Sequence, residues 1–312
     1  MKRILNLAVA IAVMGSACGG TADHDAGEPL VIATTTILGD LVGHTAGDAA
    51  RVEVLMPIGA DPHDFSPSAR QAARLRDAVL VVANGLGLEA GLLDVIAAAE
   101  SEGVAVMRVG ELLDPQPFVA GSAGDDNGSS YGEPGSGDDP LGLDPHVWMD
   151  PLRMADAVNL IADRLSSIVE VSGTAKAYRA EILALHDEIS RMIDQVPPER
   201  RKLVTNHFSY GYYARRYGFT VMGTVVPAAS TAAETSAADF AALVDLFERE
   251  GISVVFGSTT EPATLAEALA EEVGYEVKVI NAYTESLGEA GSGAETYIDM
   301  MRTNSRLIVE NL

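Results

Sequence analysis

One cysteine, Cys18, stands among 312 residues, so no intrachain disulfide can form. After the first 20 residues no run of about 20 apolar residues occurs, which leaves no transmembrane helix to expect in a mature protein. Aromatic residues are only 5% of the chain against 47% hydrophobic overall, so the core has to be aliphatic. Positive charge is scarce: 21 Lys and Arg against 45 Asp and Glu give a formal net charge of -24. Such a surface repels phosphate backbones and excludes nucleic acid as a partner. Neither H-E-x-x-H nor G-x-S-x-G occurs, so two hydrolase signatures are missing. Histidine is scarce as well, with six in all.

The N-terminus carries the layout of an export signal. Lys2 and Arg3 precede an apolar run over residues 4–14, and Gly15, Ser16 and Ala17 lead to Cys18. Residues 1–18 are read as a signal peptide. The position of Cys18 resembles a bacterial lipoprotein box, in which the cysteine becomes the lipidated first residue, although Gly15 stands where such boxes usually have Leu. Cleavage after Ala17 without lipidation is the alternative. Residues 19–29, with a solvated His24, read as a tether, so the protein is expected outside the cytoplasm and held to a membrane only by a lipid.

From residue 30 onward short Val/Leu/Ala runs alternate with amphipathic ones, the pattern of parallel sheets covered by helices on both faces. The spacing predicts an α/β fold of two lobes: residues 30–172, then a linker helix over 173–196, then residues 197–312. The linker pattern ends at Pro197-Pro198, and a helix of about 22 residues is roughly 33 Å long, enough for one rigid connector. Residues 121–140, rich in Gly, Asp and Ser, read as a surface loop with little to bury. Asp125, Asp126, Asp138 and Asp139 would collect hard cations weakly there.

Two of the six histidines share one setting. Asp61-Pro62-His63 is echoed by Asp144-Pro145-His146 within "LDPHVWMDP". Proline fixes its own φ and pushes the residue before it to an extended conformation, so each imidazole sits on a stiff, non-helical mount. His63 follows the strand "VEVLM" by a short loop, and His207 ends the strand "KLVTNH". Loops at the carboxyl ends of parallel strands converge on the ligand crevice of an open α/β sheet. Glu285 follows the strand "VKVINA" in the same way. Three imidazoles and one carboxylate make a four-ligand shell suited to Zn²⁺, with Glu261, Asp64 and Glu289 as competing carboxylates. His44 and His186 fall on helical stretches and read as polar-face residues, and Trp148 as packing beside the site.

Residues 30–312 resemble the metal-binding proteins of bacterial ABC importers for zinc, manganese and iron, the cluster A-I (cluster 9) solute-binding proteins. The resemblance is carried by "VLMPIGADPHDFSPSARQAARLRDAVLVVANGLGLE" and "LDPHVWMDP", and less tightly by "TNHFSYGYYARRYG" and "NAYTESLG". It implies two lobes joined by one long helix, metal in the cleft, and a membrane permease as partner. By position the ligands would be His63, His146, His207 and Glu285. Histidine at the third position implies Zn²⁺, whereas manganese-type members often have Glu there. Two features depart from the family. Glu285 stands where Asp is usual, and the loop before His146, often His-rich in zinc importers, is acidic and holds no histidine.

The expected function is capture of a divalent transition metal, Zn²⁺ first and Mn²⁺ or Fe²⁺ as alternatives, by a monomeric non-enzymatic receptor that delivers it to an importer. A secreted zinc hydrolase with a carboxylate base, and an adhesin with a structural metal, are the competing classes. A dinucleotide fingerprint is also present on paper: Gly85, Gly87 and Ala90 follow a strand, and Glu111 follows the next strand. An exported chain meets little nicotinamide cofactor, so these glycines are read as a tight turn.

Overall fold

A computed structural model describes residues 27–118 and 142–312, apart from 229, 232 and 234. The export signal, Cys18, His24, most of the tether and the loop 121–140 lie outside the described residues. Strands β1 (Leu30–Ala33), β2 (Arg51–Val54), β3 (Leu80–Ala83) and β4 (Ala105–Arg108) form one parallel sheet in the order β2-β1-β3-β4. Strands β5 (Lys202–Thr205), β6 (Thr220–Thr224), β7 (Val254–Ser258) and β8 (Lys278–Ala282) form a second in the order β6-β5-β7-β8. The topology repeats from lobe to lobe. Central strands β1, β3 and β7 are buried at every position, as their continuous apolar runs require. The edge strands β2 and β8 each leave residues exposed, Val54 and Lys278 among them.

Helix starts follow local chemistry. In α1 (Thr36–Ala46) the Thr35 hydroxyl accepts from Leu38 N–H. Reciprocal capping boxes open α2 (Ala69–Arg74), through Ser68 and Gln71, and α7 (Ala237–Glu250), through Ser236 and Asp239. Helix α3 is Leu93–Ser101. Asp150 caps α4 (Pro151–Leu165), whose Pro151 occupies the first turn, where a missing N–H costs nothing. Helix α5 (Ser172–Ile193) has 22 residues and stands between the two sheets in chain order. Its buried stripe, Ala175, Tyr178, Ile182, Leu185, Ile189 and Ile193, keeps helical spacing. That stripe packs on α1, α4 and α9 (Tyr297–Asn311). Helices α6 (Gly211–Tyr217) and α8 (Thr264–Glu272) complete the second lobe.

Alternation along each strand splits the core into layers. Val31 and Ala33 face a central cluster that also takes in α1, α4, α5, α6, α9 and Phe256 of β7, so one core runs through both lobes. Leu30 and Ile32 face outward to α3, while Val204 and Val255 face α7 and α8. A bidentate ion pair joins the lobes as well: Arg216 of α6 donates to Asp150 at 2.9 and 2.7 Å. Asp150 is buried.

Asp40 of α1 ties three helices together. It accepts from Tyr178 OH at 2.6 Å and from Tyr297 N–H at 3.2 Å. His44 stacks on Tyr178 with centroids 4.4 Å apart, and its Nδ1 lies 3.3 Å from Asp40. His186 stacks on Tyr217 in the same manner. Both histidines sit on helices as expected, but each has an aromatic partner. The hydrogen bond to Asp40 raises the His44 pKa to about 9. A histidine held above its unfolded value of 6.5 stabilises the fold fully below that pH and loses the contribution as pH rises through about 9. The ring is 46% exposed, so screening keeps the effect to about 1 kcal/mol or less. Urea unfolding at pH 6 and pH 10 should therefore show a small excess loss in the parent chain relative to His44→Asn. An equal loss in both would contradict the coupling.

Candidate metal centre

The four residues singled out by motif and position arrive at one point. His63 lies in the loop after β2, His146 just before α4, His207 two residues past β5, and Glu285 three residues past β8. All four are buried, and one ligand atom from each can be chosen so that all lie within 4.8 Å of one another. Glu285 Oε1 is 3.1 Å from His207 Nε2 and 3.7 Å from His146 Nε2, and Glu285 Oε2 is 4.0 Å from His63 Nε2. The Nε2 atoms of His146 and His207 approach to 3.2 Å. The three rings are tilted or edge-on to one another, with centroids 5.2 to 5.6 Å apart, so nitrogen lone pairs and not ring faces meet at the centre.

His63 Nε2 and both oxygens of Glu285 are buried without a hydrogen-bond partner. Unsatisfied buried polar atoms are costly, and several facing one small volume are what a cation would satisfy. The electrostatics follow the same logic. Burial lowers the His63 pKa to about 3. Burial works against charge at His207 too, yet Glu261 and Glu285 beside it hold it up at about 10. Burial disfavours the Glu285 carboxylate, but the imidazoles around it hold its pKa down to about 2.

The Asp-Pro-His repeat has a structural reason that the prolines alone do not give. Asp61 Oδ1 accepts the His63 backbone N–H at 2.9 Å, and Asp144 Oδ1 accepts that of His146 at 3.0 Å. Each aspartate grips the backbone two residues on, an Asx turn that fixes the histidine. Asp144 also takes His146 Nδ1 at 2.7 Å, which leaves Nε2 for the cluster. Asp61 instead reaches across to Thr231 of the other lobe, at 2.6 Å. This use of the motif aspartates is absent from the sequence reading, although both stand in the quoted motifs.

Of the competing carboxylates, Asp64 and Glu289 are exposed and outside the cluster. Glu261 is outside it as well, but its Oε1 lies 3.1 Å behind His207, at Nδ1. Trp148 packs edge-on to His146 at 5.2 Å, its indole N–H donates to Thr284 O at 2.7 Å, and its own carbonyl accepts from Tyr297 OH at 2.8 Å. One side chain thus links the His146 loop to the residue before Glu285.

The dinucleotide reading fails on the loop's own hydrogen bonds. Gly85, Leu86 and Gly87 form a left-handed turn with φ of 75, 57 and 79. Its Asn84 and Gly85 N–H groups donate to the buried Glu89 carboxylate at 2.7 and 3.0 Å. The donors that would hold a pyrophosphate are already taken by an anion of the same loop.

Gly211 is required by close approach. A Cβ there would lie 2.5 Å from Asp144 Oδ2 and 3.0 Å from the Phe208 ring. Gly211→Ala should turn the Asp144 carboxylate away from His146 Nδ1. Loss of such a partner lowers metal affinity by about 10-fold or more. A dissociation constant equal to the parent's would show that the Asp144 contact does not orient His146.

Comparison with known proteins agrees with the architecture and the cluster. Residues 31–311 match the family model described as zinc-uptake complex component A, periplasmic. The manganese-binding lipoprotein MntA of Halalkalibacterium halodurans is 29% identical over 311 residues, covering 97% of this chain and 95% of its own. The iron-binding protein YfeA of Yersinia pestis is 26% identical, covering 87% and 82%. The solved structure of the periplasmic zinc-binding protein TroA from Treponema pallidum superposes with a TM-score of 0.79 at 27% identity, covering 91% of this chain and 99% of that one. Among the described residues no helix is long and apolar enough to cross a membrane. With two parallel-sheet lobes, a buried three-histidine, one-glutamate cluster and a family match across nearly its whole length, the chain belongs to the zinc-uptake complex component A family, the cluster A-I metal-binding substrate-binding proteins of ABC importers.

Proposed function

We propose that the protein captures Zn²⁺ outside the cytoplasmic membrane on His63, His146, His207 and Glu285 and passes it to the permease of an ABC importer. The observation that carries this reading is the cluster itself. Four buried donors from four separate loops meet within 4.8 Å, and His63 Nε2 and both Glu285 oxygens lack hydrogen-bond partners. Three nitrogens and one carboxylate suit a borderline-soft ion that accepts four-coordination, whereas Mn²⁺ favours more oxygen. The relatives are named for manganese, zinc and iron, so the choice of Zn²⁺ rests on the donor set.

The protein is read as a carrier and not an enzyme, since four protein donors fill a tetrahedral shell and keep no position for a substrate. We take α5, packed along its length on α1, α4 and α9, as the rigid connection between the lobes, so loading involves a small lobe movement. Attachment through a lipidated Cys18, and a monomeric state, complete the proposal. Nitrogen donors must shed protons before they bind metal, so affinity should fall steadily as pH is lowered. Zinc titrations at pH 7.5 and pH 5.5 test this. An affinity indifferent to pH would argue against imidazole ligation.

A further inference from the structure

Glu261 follows β7 in a loop of its own, and the zinc site as read above makes no direct use of it. Its Oε1 faces His207 Nδ1 at 3.1 Å, off the hydrogen-bond line, and neither atom has another partner. Its second oxygen accepts from Asn206 Nδ2, which holds the carboxylate in place from the residue next to His207. His207 is fully buried and the Glu261 side chain is only 10% exposed, so water does little to screen the pair. His146 has the equivalent arrangement with Asp144 at 2.7 Å, whereas the same Asp-type contact at His63 goes to its backbone and not its ring. Two of the three imidazoles are therefore backed by a carboxylate, and the two come from different lobes.

We propose that Glu261 is a positioning and selectivity residue: it holds the His207 imidazole with Nε2 toward the cluster and strengthens that nitrogen as a donor, which favours Zn²⁺ over Mn²⁺. The inference rests on the zinc-receptor reading and deepens it. A carboxylate behind a metal-bound histidine fixes the tautomer and raises the basicity of the other nitrogen. A more basic nitrogen gains more with an ion that binds nitrogen strongly than with one that prefers oxygen. Asp144 backs His146 in the same way, but it also holds the His146 backbone, so its replacement disturbs the turn. Among the described residues, the hydrogen bond and the ion pair of Glu261 go to Asn206 and His207, and neither holds a ligand's backbone, which makes it the cleaner test.

The test uses the full chain, stripped of metal, with Glu261→Gln and Glu261→Asp beside the parent. Competition titrations give Zn²⁺ and Mn²⁺ affinities, Co²⁺ absorption reports coordination number, and melting of the metal-free form reports the fold. The expected result for Glu261→Gln is a roughly 10- to 100-fold loss of Zn²⁺ affinity. Mn²⁺ affinity should fall less, the Co²⁺ band should stay four-coordinate and the metal-free melting temperature should hold. Glu261→Asp should recover part of the Zn²⁺ loss. Equal weakening of both ions, or no weakening of Zn²⁺, would overturn the selectivity role. A Co²⁺ spectrum of changed coordination number would make Glu261 a ligand and overturn the positioning role. If Glu261→Gln does not accumulate as folded protein, Asn206→Ser, which frees the second oxygen of Glu261, is measured for the same two affinities and judged by the same outcomes. A parent chain that takes up neither ion would instead defeat the zinc-receptor reading, so the two failures are distinguishable.

Discussion

His207→Ala should remove tight zinc binding while leaving a folded protein. Structural four-ligand zinc sites bind with about 10–16 kcal/mol at neutral pH, so each ligand is worth roughly 3 kcal/mol, or about 100-fold in affinity. His207 should cost more than that share. Its Nε2 is the one closest to Glu285, at 3.1 Å, and also meets His146 at 3.2 Å. Its loss leaves the buried Glu285 carboxylate with two imidazoles in place of three, and takes His207 Nδ1 away from Glu261 Oε1. His63→Ala should cost less, because His63 stands farthest from the glutamate, at 4.0 Å. Isothermal titration with a chelator competitor measures both. A His207→Ala chain that binds zinc as tightly as the parent would remove His207 from the site.

Trp148→Ala should give the largest loss of fold stability among single changes near the site. Removing a buried tryptophan costs about 3–5 kcal/mol through lost contacts and the cavity left behind. Trp148 is 4% exposed and packs against His146, and its indole N–H reaches the Thr284 carbonyl of the other lobe; the bond from Tyr297 OH goes to the backbone carbonyl of Trp148 and survives the change. Trp148→Phe separates the two contributions. It keeps most of the packing and orphans the Thr284 carbonyl, which costs about 1–3 kcal/mol. Denaturant unfolding of the metal-free chains gives both numbers. Because Trp148 is the single tryptophan, its emission in the parent should also shift when metal reaches His146. Equal stability of parent and Trp148→Ala would show that the lobes do not depend on this link.

Much of the fold was legible because its signals are local. Continuous Val and Leu runs marked the buried strands, and Ser68, Asp150 and Ser236 stand at helix starts where capping chemistry puts them. The candidate cluster was legible for a topological reason: parallel strands deliver His63, His207 and Glu285 past their carboxyl ends, and the Asp-Pro-His echo pointed to His146. Contacts across large sequence distances were not legible. Trp148 and Thr284 are 136 residues apart, and Arg216 and Asp150 are 66 apart. No pattern in either segment names the other. Glu261 shows the difference most clearly. In sequence it stood among the competing carboxylates, and only three-dimensional placement puts it behind His207, on the ring nitrogen turned away from the cluster.

The central claim, a high-affinity zinc receptor with one four-residue site, is tested most directly by a competitive titration of the metal-stripped parent chain with Zn²⁺ and Mn²⁺ in a chelator buffer. The account predicts one equivalent of Zn²⁺, bound with a dissociation constant on the order of nanomolar and far more tightly than Mn²⁺. Tighter binding of Mn²⁺ would keep the receptor and overturn the metal, and absence of tight binding to either ion would contradict the four-residue site.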